Sequence, residues 1–202
     1  DKITGGIMEQ LILASASPRR LELLKRIGLE FKVMPADIDE VNTGNLEPAS
    51  YTVDIARKKA LDVVYKTSKS SLVIAADTVV VKDGVMGKPA DENEAFKMLK
   101  ALQGQWHEVI TGVAIIDSES KAEVVDYEKT LVKMTSLSDM EIKAYIKSGE
   151  PMDKAGSYGI QGLGAMIVER IEGCYFNVVG LPLNKLNAMM KKFDIDLLMG
   201  DM

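Results

Sequence analysis

The sequence predicts a mixed α/β fold, for two reasons. In the first half of the chain, short apolar runs typical of buried strands alternate with segments whose apolar residues recur at helical spacing. In the second half, two long segments rich in β-branched residues follow one another across a short polar turn, which is typical of antiparallel strands. The chain has 202 residues, 47% of them hydrophobic, so we expect a single domain over residues 8–202. The order of its elements favours two lobes flanking a cleft. Residues 1–7 precede Met8 and are interpreted as a cloning remnant or an alternative start.

Capping residues indicate where three helices of the first half begin. Ser17 before Pro18 starts the first, Pro48 starts the second, and Asp91 with Glu94 forms a capping-box pattern at the third. The strands are runs of aliphatic and β-branched residues bounded by polar segments. The predicted helices are 18–27, 48–66 and 91–102, and the predicted strands are 11–14, 31–35 and 72–81, with an acidic loop at 36–48 and a turn at 82–85.

The same signals predict the elements of the second half. Ser138 with Glu141 caps a helix that ends at Gly149, and a last helix begins at Pro182 and ends near Phe193. Between these two helices lies a glycine-rich loop that leads into a further strand. The predicted strands are 107–117, 122–137 and 165–171, the polar turn is 118–121, and the glycine-rich loop is 155–164.

Charge and cysteine content argue against several classes of protein. A net charge of −5 disfavours nucleic-acid binding, which requires a basic face that neutralises phosphates. The single cysteine, Cys174, has no partner for an internal disulfide, so we expect a cytoplasmic protein. No apolar run reaches the length of a membrane span or of a signal-peptide core, so we expect no membrane partner.

Two arginines occupy the first turn of the first predicted helix. Arg19 and Arg20 lie at the positive end of the helix dipole, where a basic residue is unfavourable by roughly 0.3–1 kcal/mol. One interpretation is that both side chains point to solvent. The other, which we prefer, is that a strongly anionic ligand such as a phosphate chain binds there, because a helix N-terminus also offers free N–H groups.

A single carboxylate interrupts the apolar strand at 72–81. An ionised carboxylate in a buried strand must be paired, hydrogen-bonded or bound to a metal, so Asp77 is a candidate for a structural salt bridge or for a catalytic or metal-binding role. The acidic loop adds Asp37, Asp39 and Glu40, whose oxygens suit Mg²⁺ or Mn²⁺. Such a loop taken alone is more often simply solvated.

Lysines supply further candidates for binding an anion. Lys58 or Lys59 on the second helix and Lys88 after the turn at 82–85 could complete a cationic cradle, although each alone is more typical of a surface lysine. His107 is the only histidine, which argues against a zinc cluster or a histidine-based triad. A phosphoryl-transfer or hydrolysis reaction that uses carboxylates, a metal and cations remains.

These residues lie in segments that together resemble the Maf family of nucleoside triphosphate pyrophosphatases. The segments are LASASPRRLELL, DIDE, IARKKA, AADTVV, GKP, DKAGSYGIQG and VVGLPL, and in this order they cover the chain from about Gln10 to Phe193. The resemblance implies an α/β fold similar to that of the inosine-triphosphate pyrophosphatases, with a deep cleft between lobes, and a homodimer. It also implies cleavage between the α and β phosphates of a nucleoside triphosphate, with a divalent metal.

The resemblance also assigns roles to individual residues. It implies that Asp77 is the base for the attacking water and that Asp77 and Glu40 bind the metal. The implied phosphate-binding residues are Arg20, Lys59 and Lys88. The implied base-selecting residues are Arg19, Thr78 and Gln161. Family members that act on dTTP and UTP carry motifs similar to SPRR, ADT and GIQG. This sequence contains all three, so the resemblance points to dTTP and UTP as substrates.

Two other functions stay open on the sequence. One is a nucleotide-binding regulator of cell division without catalysis, which the presence of both Asp77 and Glu40 disfavours. The other is a house-cleaning pyrophosphatase for modified purine triphosphates.

Overall fold

The computed structural model describes residues 10–40 and 46–199, in which strands and helices alternate over the first five elements and then also follow elements of their own kind. The strands are Gln10–Leu13 (β1), Lys32–Val33 (β2), Ser71–Val81 (β3), Val85–Met86 (β4), Trp106–Asp117 (β5), Glu123–Met134 (β6) and Val168–Glu172 (β7). The α-helices are Pro18–Arg26 (α1), Pro48–Lys66 (α2), Glu92–Leu102 (α3), Asp139–Lys147 (α4), Tyr175–Val179 (α5) and Leu183–Met190 (α6). Short 3-10 helices cover Glu150–Asp153, Ala155–Ser157, Gly162–Met166 and Lys191–Phe193. None of these helices is both long and apolar enough to cross a membrane.

One mixed sheet connects the strands in the described part of the chain. Its order is β2-β1-β3-β5-β6-β7, and β4 pairs with β3. The strand β1 runs parallel to both β2 and β3, with Leu13 opposite Val33 on one side and Ile74 on the other. The pairs β3–β4 and β6–β7 are antiparallel. The predicted mixed α/β class is confirmed, because parallel pairs joined through α1 and α2 lie beside antiparallel ones.

Local capping explains why α3 and α4 begin where the sequence predicts. Ser138 Oγ accepts from the Glu141 backbone N–H, and the Glu141 carboxylate accepts from the Ser138 N–H at 2.7 Å, so α4 has the predicted capping box. Asp91 caps α3 by accepting from the Glu94 N–H at 2.8 Å. The N-cap of α1 differs, because the Ser17 side chain makes no capping hydrogen bond.

Some element boundaries differ from the prediction. The strand predicted at 31–35 is reduced to β2, and the strand predicted at 165–171 begins only at Val168, because Gly162–Met166 forms a 3-10 helix first. The chain turns back after β3 through the left-handed residue Asp83 (φ 54°) and pairs as β4, which the sequence did not predict. The short helix α5 was also missed.

The chain divides into two compact units. Unit 1 consists of Asp1–Asp77, Thr111–Glu128 and Gly180–Met202, and unit 2 consists of Thr78–Ile110 and Lys129–Val179. The predicted domain start at residue 8 and residues 41–45 of the predicted acidic loop lie outside the described residues.

The core of unit 1 forms where α2 packs on the sheet. Ala56 and Ala60 of α2 are fully buried in one cluster with Val73 of β3 and other aliphatic residues. A Cβ on Gly112 of β5 would lie 2.3 Å from the backbone carbon of Thr52, so only glycine lets this strand approach α2 so closely. Small residues therefore set the distance between α2 and the strands.

The core of unit 2 contains the single histidine of the chain. His107 is 3% exposed, and its Nε2 lies 2.5 Å from the hydroxyl of Tyr158. Its Nδ1 has no hydrogen-bond partner among the described residues, so a proton there would be buried without an acceptor. Burial, with a smaller contribution from the charge of Lys82, lowers the pKa of His107 to about 4.

This pKa predicts a loss of stability in mild acid. The unfolded chain binds a proton at His107 near pH 6.5 and the folded chain only near pH 4, so this contribution is complete above pH 6.5 and falls as the pH is lowered. We expect the free energy of unfolding to decrease by about 2 kcal/mol between pH 7 and pH 5 from this group. Urea unfolding at both pH values should show a loss that is larger by about 2 kcal/mol in the wild type than in His107→Gln, which cannot titrate at this position. Equal losses in the two proteins would contradict the assignment.

Candidate active site

Asp77 lies in β3 within unit 1 and is 6% exposed. Lys59 reaches it from α2, and the lysine Nζ donates to Asp77 Oδ1 at 2.8 Å. The buried carboxylate is therefore paired, as its position in an apolar strand requires.

Lys59 also binds a second carboxylate. Its Nζ lies 2.7 Å from Oε1 of Glu40, whose side chain is half exposed. Lys58 instead pairs with Asp54 at 2.6 Å, one helical turn earlier on the same helix. Of the two adjacent lysines, Lys59 is thus the one that reaches Asp77, and one ammonium group holds two carboxylates.

The charges around this ion pair change the acidity of its neighbours. Burial raises the pKa of Asp77 above its ordinary value, and the charge and hydrogen bond of Lys59 oppose that shift. Burial also raises the pKa of Tyr51, and the negative charges of Asp77 and Glu40 add to the effect. The Tyr51 hydroxyl donates to the backbone oxygen of Glu40 at 3.3 Å, which helps to hold this residue near α2. The carboxylates of Asp77 and Glu40 therefore concentrate negative charge around Lys59.

Arg20 is buried, so the interpretation that both arginines point to solvent is wrong for this residue. Its Nε donates to the backbone oxygen of Gly180 at 2.7 Å, and one terminal nitrogen donates to Ser15 Oγ at 3.3 Å. Burial lowers the pKa of Arg20, an effect that Asp77 opposes and Arg19 increases. Ser15 was not predicted as a site residue, although a serine directly after the predicted strand at 11–14 is a detectable signal. Arg19 is half-buried.

The acidic loop contributes one carboxylate to the site. The backbone N–H of Asp37 donates to Asp62 Oδ2 at 2.9 Å, which fixes the loop to α2, and Asp39 is exposed. Among the described residues, no three His, Cys, Asp or Glu side chains form a group that could hold a metal ion. Of the four acidic residues predicted for the site, Asp77 and Glu40 are thus the two whose carboxylates pair with the ammonium group of Lys59.

The other three predicted site residues belong to unit 2. Thr78 directly follows Asp77 in β3 and is half-buried, Lys88 is exposed, and Gln161 is half-buried. A backbone hydrogen bond joins the segments that carry Lys88 and Gln161, since the N–H of Gly156 donates to the carbonyl oxygen of Gly87 at 3.1 Å. The glycine-rich loop is therefore fixed beside the segment that contains Lys88.

Comparison with known proteins gives consistent matches over nearly the whole chain. A family model described as "Maf-like protein" matches residues 10–193. The dTTP/UTP pyrophosphatase of Acetivibrio thermocellus is 53% identical over 197 residues, which cover 95% of this chain and 98% of that protein. The dTTP/UTP pyrophosphatase of Caldicellulosiruptor saccharolyticus is 48% identical over 199 residues, which cover 96% and 100%. The structure of the Staphylococcus aureus Ham1 protein is 14% identical, with a TM-score of 0.44 and coverage of 79% and 80%.

The buried hydrogen bonds of Arg20 predict a structural effect of its removal. Arg20→Ala leaves the Gly180 oxygen and Ser15 Oγ without these donors, so we expect the free energy of unfolding to fall by about 1–3 kcal/mol. The control is Arg26→Ala on the same helix, which removes an exposed pair with Glu22 and should change stability by only about 0.5 kcal/mol or less. Urea unfolding measures both. Equal stability of the two variants would contradict the structural role of Arg20.

Proposed function

The chain belongs to the Maf family, and we propose that it hydrolyses dTTP and UTP to the nucleoside monophosphate and pyrophosphate. The observation that carries the proposal is the nearly buried Asp77, whose ammonium partner Lys59 also binds Glu40. The substrate is supported by the two relatives of about half-identical sequence, both named for dTTP and UTP, which match this chain almost end to end.

In the proposed reaction, Asp77 is the general base. A water oxygen attacks the α-phosphorus while the bond from that phosphorus to the α–β bridging oxygen breaks, and pyrophosphate leaves. The proton of the attacking water passes to the Asp77 carboxylate. The raised pKa of Asp77 suits this task, because a carboxylate whose pKa lies closer to neutral pH is a stronger base. Lys59 keeps the carboxylate ionised and oriented until water is bound.

We propose that Arg20, Lys59 and Lys88 bind the phosphate chain. A nucleoside triphosphate carries several negative charges, and attack at the α-phosphorus increases the charge on its oxygens. Cations that are already fixed stabilise such charge better than mobile ones. The buried hydrogen bonds of Arg20 to Gly180 and Ser15 hold its guanidinium in one orientation, which is the property that this role requires.

Selection of the base is proposed for Arg19, Thr78 and Gln161. Uracil and thymine present a carbonyl oxygen at position 4 and an N–H at position 3, whereas cytosine presents an amine and a bare nitrogen. The amide of Gln161 has both an acceptor and donors, so it can complement the first pattern and leave polar groups unpaired against the second.

A divalent cation, Mg²⁺ or Mn²⁺, is proposed as the cofactor. Asp77 and Glu40 fit this role because both offer carboxylate oxygens and both lie within 2.8 Å of the same ammonium group, that of Lys59. Mg²⁺ is commonly bound by one or two carboxylates together with substrate phosphates and water, so two carboxylates fit this mode of binding. When bound, the cation would neutralise charge on the phosphate oxygens of the substrate.

We further propose that the protein acts in the cytoplasm as a homodimer on free nucleotides. The family resemblance supports the dimer, and the single cysteine suits a reducing compartment. The net charge of −5 disfavours a nucleic acid bound across a basic face and leaves room for a local basic site that binds a small anionic substrate.

The variant Asp77→Asn tests the catalytic role. The amide keeps the shape of the side chain but cannot accept the proton, so we expect turnover of UTP with Mn²⁺ to fall by about 10²–10⁴-fold, as pyrophosphate release would show. The variant should be less stable, because it loses one partner of a buried ion pair, but binding of UTP to the folded protein, measured by calorimetry, should largely survive.

The matched control is Asp126→Asn. Asp126 pairs with Lys185 at the same 2.8 Å as Asp77 with Lys59, but in an exposed position. The turnover of UTP by Asp126→Asn should equal that of the wild type. Near-normal turnover in Asp77→Asn would remove this residue from the mechanism, and a wild type that binds UTP without releasing pyrophosphate would favour the regulator.

A further inference from the structure

The carboxylate of Glu150 is bonded to the glycine-rich loop by both of its oxygens. Oε1 accepts from the Tyr145 hydroxyl at 2.7 Å and from the backbone N–H of Gly164 at 2.9 Å. Oε2 accepts from the backbone N–H of Leu163 at 2.9 Å. Glu150 thus joins α4, through Tyr145, to one end of the segment 159–164.

The other end of this segment meets the same tyrosine. The N–H of Gly159 donates to the Tyr145 hydroxyl at 3.2 Å. A Cβ on Gly164 would lie 1.7 Å from the Gly159 oxygen, so the two ends are in direct contact. The segment is therefore closed at its base, and Ile160, Gln161 and Gly162 lie between the bonded ends.

The segment passes so close to Glu150 that a side chain at Gly162 would have to displace the carboxylate. A Cβ on Gly162 would lie 2.5 Å from Glu150 Oε2, and the residue has the left-handed φ of +62°. The residue directly before it is Gln161. The backbone on one side of Gln161 is thus held against the carboxylate.

The charge state of both partners strengthens these bonds. Burial raises the pKa of Glu150, but the hydrogen bonds from Tyr145, Gly164 and Leu163 outweigh it, so that the net pKa is lowered and the carboxylate is ionised at neutral pH. Burial raises the pKa of Tyr145, so its hydroxyl keeps the proton that it donates. Hydrogen bonds to an ionised acceptor are roughly twice as strong as neutral ones.

We propose that Glu150 is a positioning residue for base selection, because its carboxylate holds the segment 159–164 and thereby fixes the amide of Gln161. The inference rests on the proposed function, in which Gln161 recognises uracil and thymine. Rejection of cytosine requires that the amide cannot move to pair with the wrong pattern, since a mobile loop would adapt to either base. A rigid backbone on both sides of Gln161 meets that requirement.

The test is Glu150→Gln, measured as the ratio of kcat/KM for UTP to kcat/KM for CTP. The amide has nearly the same shape, but it has one oxygen where the carboxylate uses two, so its NH₂ group must face a backbone N–H. We expect the ratio to fall by about tenfold, the effect of one lost hydrogen bond. The change should appear mainly as a higher KM for UTP, with kcat nearly unchanged.

The matched control is Glu141→Gln in the capping box of α4. Glu141 also accepts from a backbone N–H, that of Ser138, and lies in the same unit. It should lower stability slightly and leave the UTP/CTP ratio unchanged. A ratio that falls equally in both variants would mean a general loss of stability and would overturn the proposal.

Amide hydrogen exchange without nucleotide gives a second readout. The amides of Gly159, Leu163 and Gly164 should exchange faster in Glu150→Gln and at the wild-type rate in Glu141→Gln. Faster exchange with an unchanged ratio, or unchanged exchange, would overturn the role of Glu150.

If Glu150→Gln does not fold, Tyr145→Phe removes the hydroxyl that joins Glu150 to Gly159 and should change exchange and ratio in the same direction. A wild type that does not prefer UTP to CTP would instead contradict the proposed base selection itself.

Discussion

The ion pair between Lys59 and Asp77 is the interaction on which the rest of unit 1 depends. Removing one partner of a buried pair costs about 3–5 kcal/mol, so α2 must bring its lysine to β3. Ala56 and Ala60, fully buried close to Lys59 in the sequence, let the helix approach the sheet, and Gly112 gives it room above β5. The packing of the core and the geometry of the candidate site thus satisfy the same requirement.

Arg20 places a second buried charge in the same unit. A basic residue in the first turn of a helix is unfavourable, and burial lowers its pKa, yet Gly180 and Ser15 supply the acceptors that keep it there. Asp77 opposes the pKa shift of Arg20, and Arg20 opposes that of Asp77. Buried charges that are arranged before the substrate arrives are typical of catalytic sites, where stability is given up for preorganisation.

The sequence predicted what depends on local signals and missed what depends on packing. Asp77 was found because one carboxylate stands in an apolar strand, and α4 because Ser138 starts a capping box. Residue patterns alone did not separate Lys58 from Lys59, and the choice of Lys59 came from the family resemblance; the packed face of α2 shows that Lys59 reaches Asp77. Glu150 gave no signal, because its bonds to the loop come from backbone N–H groups 13 and 14 residues away, which no side-chain pattern reveals.

The most direct test of the proposed chemistry is hydrolysis of UTP in water labelled with ¹⁸O, followed by mass spectrometry of both products. Attack on the α-phosphorus, with Asp77 as the base, forms the new bond to the phosphorus that stays with the nucleoside. We therefore expect one labelled oxygen in UMP and none in pyrophosphate. Label in pyrophosphate, or release of UDP and inorganic phosphate, would contradict attack at the α-phosphorus.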